Sequence, residues 1–187
     1  MSQFEYVAVL ISIIVGLALA QILRGVGQMV TSKNARPYWV HLVWTFYLFL
    51  FLVAFWWWEF QLATIDWSLS IYLVVIVYAT LLFFASLVIQ PLKTEQISSF
   101  KDYYFSHRNW IFGLLIAIWL WDFVDTLSKG TDHFFDLGTE YLVFNITQLT
   151  VFAVASITAN ERAHEFLAVA CLIIFTTFQY RFFFILG

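Results

Sequence analysis

Charge is scarce in this sequence. Only 11% of its 187 residues are Asp, Glu, Lys or Arg, where a soluble domain carries about 25%. A chain this short, 63% apolar with a mean hydropathy of +0.85, cannot hide so much apolar surface in one water-solvated core. Lipid, not water, is therefore its solvent. A single cysteine, Cys171, excludes a disulfide-stapled secreted scaffold. A net charge of −3 excludes a nucleic-acid binder, and the 21% aromatic content excludes a disordered chain. The two prolines, Pro37 and Pro91, both flank apolar runs, so no interrupted helix of the kind used by ion-coupled transporters is expected. Gly-x-Ser-x-Gly, phosphate-binding-loop, His-Glu-x-x-His and Cys-x-x-Cys patterns are all missing, which points away from an enzyme and from a metal or other cofactor.

What is present is long apolar runs. About 20 residues of helix cross a hydrocarbon core about 30 Å thick, and six runs between charges fit: 6–23, 38–58, 69–89, 110–127, 141–158 and 166–185. Stretches such as Leu48 to Trp58 do not alternate as membrane strands do, which leaves helices as the spanning form. The expected fold class is all-α, a six-span bundle forming a single domain over 1–187, because no connection is long enough to fold alone. The first run is read as a retained helix, since no Lys or Arg precedes it and Arg24 follows it.

Basic residues set the expected orientation, because cytoplasmic loops concentrate them. The first, third and fifth connections hold Arg24, Lys33, Arg36, Lys93, Lys101, Arg108 and Arg162, seven of the nine basic residues, against Lys129 in a connection on the other side. Both termini then face outward. Acids such as Glu5, Asp66, Asp132, Asp136 and Glu140 fall on the outer side. Tyr and Trp favour headgroup depth. Trp56, Trp57, Trp58, Trp67, Trp119 and Trp121 form the expected outer belt, and Tyr38, Trp39, Tyr103, Tyr104 and Trp110 the inner one. Arg–His pairs open the outward-running spans, and an aromatic cluster around one charge closes each. Three hairpin repeats about an axis along the membrane normal would give this pattern. Belts and basic loops alone would give much of it too, so both origins stay open.

Polar groups inside the bilayer are costly, about 2.5–3.5 kcal/mol for a charge at a helix centre on insertion scales. Glu59 ends its span and is expected to reach water. Asp122 lies about 20 Å along its helix from Arg108 at 1.5 Å per residue, Asp125 shares its face, and Arg181 has a matching depth on the last span. A buried ion pair between Arg181 and one of these acids is one expectation, and snorkelling of all three to the outer headgroups the other. Asn145 and Gln148 share a face of the fifth span and read either as interhelical glue or as the lining of a wet cavity. Ser12, Gly16 and Ala20 form a small-residue seam suited to close packing. Arg24, Arg36, His41, Arg108, Arg162 and His164 gather at the inner mouths, where contact with anionic lipid headgroups is expected; their spacing fits no metal or haem motif.

The segments Phe4-Glu5-Tyr6-Val7 with Ser12 to Leu23, Tyr38 to Trp44, Asp102-Tyr103-Tyr104-Phe105 and Arg108-Asn109-Trp110 resemble a group of small multi-span bacterial inner-membrane proteins of unassigned function. The resemblance implies a bacterial inner membrane and six spans, and lends no site residues. Two functional readings follow. In the first, the protein binds or passes a small solute or ion through Asp122, Asp125, Asn145, Gln148 and Arg181, alone or as a homo-oligomer, with a water-filled vestibule reaching Asp122. In the second, it is a structural, regulatory or lipid-sensing subunit with a dry interior and a groove for a partner membrane protein.

Overall fold

The computed structural model describes residues 3–32, 35–65, 67–93 and 96–182. Lys33 and Asp66, which enter the charge reading, and the end of the sixth expected span lie outside them. The described chain is all-helical: α1 (Gln3–Thr31), α2 (Trp39–Trp58), a 3-10 segment (Glu59–Thr64), α3 (Leu69–Ile89), α4 (Phe100–Ser128), α5 (Thr131–Asp136), α6 (Gly138–Ile157) and α7 (Glu161–Tyr180). All but the 3-10 segment and α5 are long and apolar enough to cross a membrane, which makes six spans.

Local chemistry sets their ends. Ser68, Ser99 and Asn160 cap α3, α4 and α7, each side chain accepting a backbone N–H of the first turn. Pro37 precedes α2 and Pro91 follows α3, where a missing N–H costs nothing. Gly130, at φ 124°, makes the turn out of α4, a backbone conformation that disfavours any side chain. Because Ser99 caps it, α4 starts ten residues before the apolar run does. Across the first and third connections Phe100 N–H donates to the Arg36 carbonyl and Arg36 N–H donates to the Ser98 carbonyl. Those two connections therefore share one end of the bundle.

The interior is an aromatic lattice. Trp44 meets Phe112 at 5.0 Å, Tyr47 meets Phe175 at 5.0 Å, Phe51 meets Trp119 at 5.4 Å, and Phe144 stacks on Phe178 at 3.8 Å. Lipid tails are as apolar as these rings, so contact geometry and hydrogen bonds hold the helices together, not burial from water; each ring pair adds about 0.5–1.5 kcal/mol. Val9, Ile13, Leu17, Phe46, Leu73 and Ile146 instead point outward, the inverse of a soluble surface.

Several expectations change here. α1 packs along α3 and α4 along α6, while among the described residues no comparable pairing joins α6 to α1 or to α3, so the neighbour pattern lacks threefold symmetry. Trp119, expected in the outer belt, is buried and donates its indole N–H to Tyr47 Oη at 3.2 Å. Tyr38 and Tyr104 of the expected inner belt are buried as well. The Ser12, Gly16 and Ala20 seam faces outward, since α1 packs inward through Ile11, Val15, Ala18 and Ile22.

Candidate functional site

At the end of the bundle where α2 and α4 finish, charged groups turn inward. Glu59, at the start of the 3-10 segment, is 3% exposed, and Asp122 and Asp125 on α4 are 7% and 2% exposed. The turn at Gly130 keeps Lys129 folded back over α4. Its ammonium lies 2.6 Å from Asp125 Oδ2 and 3.1 Å from Glu59 Oε1, with only 8% of its side chain exposed. One cation therefore serves two acids. The other oxygen of each, Glu59 Oε2 and Asp125 Oδ1, is buried without a hydrogen-bond partner.

Asp122 is held differently. Tyr78 of α3 donates to its Oδ1 at 2.9 Å and Tyr141 of α6 to its Oδ2 at 2.6 Å, while Thr126 Oγ1 lies 2.9 Å from the Tyr141 hydroxyl. Two phenol donors suit an ionised carboxylate, which only accepts. Three acids against one lysine leave a formal charge of −2 in a buried place, and such a charge needs a partner.

All of these groups except Tyr78 line a cavity of about 60 Å³ together with Trp119, His133 and Phe178, room for a few water molecules. Electrostatics at its mouth follow from burial and from the crowding of acids. Burial pushes the Glu59 carboxyl up, the Asp125 charge adds to this, and Lys129 only partly offsets them, which leaves it at about 8. Burial alone would pull the Lys129 ammonium down, but Glu59 and Asp125 outweigh it and hold it above the ordinary lysine value. Both shifts are consistent, because one ammonium cannot neutralise two carboxylates. His133, half-buried on α5, is lowered by burial and by Lys129.

The remaining expected site residues go elsewhere. Arg181 does not pair with Asp122 or Asp125; it donates to Glu140 Oε2 at 3.1 Å on the exposed surface. Asn145 donates to the Tyr141 carbonyl at 3.1 Å, and Gln148 accepts from Cys171 Sγ at 2.7 Å in the middle of the bundle. Neither lines the cavity. Of the expected headgroup contacts, Arg24, Arg36 and Arg162 are exposed and Arg108 is half-buried, but His41 and His164 are fully buried. His41 Nε2 lies 2.7 Å from the Ile89 carbonyl, and His164 bridges Tyr104 Oη at 2.7 Å and the Thr158 carbonyl at 3.0 Å. Both nitrogens of His164 and Nε2 of His41 are bonded within the protein, His41 Nδ1 is buried without a partner, and neither ring reaches lipid.

Glu59, Lys129, Tyr78 and Tyr141 were not singled out as site residues by the sequence. Glu59 and Lys129 stand at span ends, where water is the default partner, and their one signal is opposite charge on the same side of the membrane. Among the described residues no group of three His, Cys, Asp or Glu side chains is arranged to hold a metal ion. No family model, no curated protein and no solved structure matches the chain, so its site is interpreted from its own chemistry.

Proposed function

We propose that this integral membrane protein binds a small cation in the cavity bounded by Glu59, Asp125 and Lys129. The observation that carries the reading is the uncompensated charge: three buried acids face one lysine beside the cavity, and one oxygen each of Glu59 and Asp125 is buried with nothing to accept from. A small hydrophilic cation, carrying its own hydrogen-bond donors or water, supplies both missing charge and missing donors. The basic first, third and fifth connections support a cytoplasmic location for the opposite end, so the cavity opens outward, and the resemblance in sequence supports a bacterial inner membrane.

Thermal unfolding in lipid nanodiscs tests this at constant pH and ionic strength. Sodium, potassium and ammonium chlorides are compared with the bulky N-methylglucamine salt, in the wild type and in the Glu59→Gln/Asp125→Asn variant. Binding to the folded state raises Tm by mass action, so one small cation is expected to stabilise the wild type and not the variant. Equal Tm in all four salts contradicts the reading.

A second reading, a structural subunit docking a partner in the membrane, draws on the apolar groove of about 620 Å³ between α2 and α7, lined by Val53, Trp56, Trp57, Phe175 and Gln179. It expects a tightly packed, dry bundle at Asp122.

A further inference from the structure

The arrangement of the acids narrows which small cation the cavity takes. Its acids do not converge on one coordination point among the described residues, and the two unpartnered oxygens belong to carboxylates already tied on their other side to a single ammonium. Lys129 carries three donors, and two of them are spent on Glu59 and Asp125. Each acid therefore keeps one fixed bond and one buried oxygen without a partner.

We propose that Glu59 and Asp125 together form a proton-binding site, in which one exchangeable proton from the aqueous phase sits on an unpartnered oxygen of the pair while Lys129 stays charged between them. This deepens the cation reading of the same cavity and rests on it. The reaction is simple acid–base uptake: a carboxylate oxygen gains a proton from water or buffer and returns it there, with no other bond changed. A protonated carboxyl oxygen no longer needs a donor, and the buried charge falls by one.

The surroundings favour Glu59 as the group that titrates. From α4 it faces Asp125, Lys129 and, further off, Asp122; from α5, His133 lines the same cavity; from α3 and α6, Tyr78 and Tyr141 are engaged with Asp122. On its other side Glu59 borders a second, apolar cavity lined from α1 by Phe4, Ala8 and Ile11. Glu59 thus stands between an apolar wall, which penalises its charge, and a second acid, which repels it. His133, half-exposed, is a titratable side chain on the same cavity lining.

Infrared titration in nanodiscs between pH 5 and 9 reads this directly. A C=O stretch of protonated carboxyl is expected to appear as pH falls through about 8, to shift on carbon-13 glutamate labelling of the unaltered protein, and to vanish in Glu59→Gln. Asp125→Asn, which removes the repelling charge, moves the midpoint to lower pH. Labelling keeps the test decisive even if a variant fails to fold. No carboxyl band in the wild type above pH 6, or a band insensitive to glutamate labelling, overturns the proton site. Cation-dependent Tm without a glutamate band removes the proton site alone, a glutamate band without cation-dependent Tm leaves the proton as the small cation bound and removes sodium, potassium and ammonium, and neither signal removes both.

Discussion

The Tyr141 hydroxyl donates to Asp122 across 2.6 Å, the shorter of the two phenol bonds that hold this carboxylate inside the bundle. It ties α6 to α4 at the depth of the cavity. Hydrogen bonds to a charged group contribute about 1.5–3 kcal/mol, against about 1 for neutral pairs. Tyr141→Phe is expected to destabilise within that range in reversible unfolding from mixed micelles. In a double-mutant cycle with Asp122→Asn most of the loss is expected to be shared. Additive effects of the two changes contradict the bond's role.

Lys129 is the counter-charge for two buried acids, so its removal should cost more than a surface ion pair does. Lys129→Met leaves Glu59 and Asp125 facing each other unneutralised, a change of about 3–5 kcal/mol for a broken buried pair. Adding Glu59→Gln and Asp125→Asn is expected to recover most of the loss. The unfolding free energies of the single and triple variants check this, and a neutral Lys129→Met contradicts it.

Stability also depends on pH through the same group. Glu59 holds its proton more tightly folded, at about 8, than at its ordinary value of 4.5. Its contribution is complete below 4.5 and is lost as pH rises toward about 8. His133 acts in the opposite sense: lowered from 6.5, its contribution is complete above 6.5 and lost as pH falls. Lys129, raised above 10.5, loses its contribution only at higher pH still. Between pH 6.5 and about 8 the slope from these groups outside the spans belongs to Glu59. Wild-type stability is expected to fall across that window and the Glu59→Gln variant to stay flat.

His41 and His164 separate burial from headgroup contact. Each alanine substitution removes a bond and strands a buried partner, costing about 1–3 kcal/mol, whereas Arg36→Ala and Arg162→Ala at exposed positions are expected to leave unfolding unchanged. Equal, negligible effects of all four return the histidines to the lipid surface.

Fold and site were legible in the sequence to different depths. Run length between charges is a one-dimensional property, so all six spans could be read from it, although α4 runs back to Phe100 because its polar first turns, capped by Ser99, still make helix. Asp122 and Asp125 stood out as acids inside an apolar run, and both line the cavity. Matching depth suggested Arg181 as their partner, but depth says nothing about azimuth: Arg181 reaches Glu140 at the surface instead. Lys129, four residues beyond Asp125, takes its place because it sits one helical turn along the same face. Glu59, expected to reach water at its span end, is buried instead, because chain direction after a span end is set by the 3-10 turn, which folds it under the bundle.

Water reaching the acids is the claim on which both the cation and the proton site depend. Single cysteines at Thr126, which lines the cavity, and at Gln148, buried in the mid-bundle core, can be placed in a Cys171→Ala background and exposed to a membrane-impermeant thiol reagent. Thr126→Cys is expected to react, from the side of the membrane carrying the Glu59 and Gly130 turns, while Gln148→Cys stays silent. A Thr126→Cys protein as unreactive as Gln148→Cys would contradict the account.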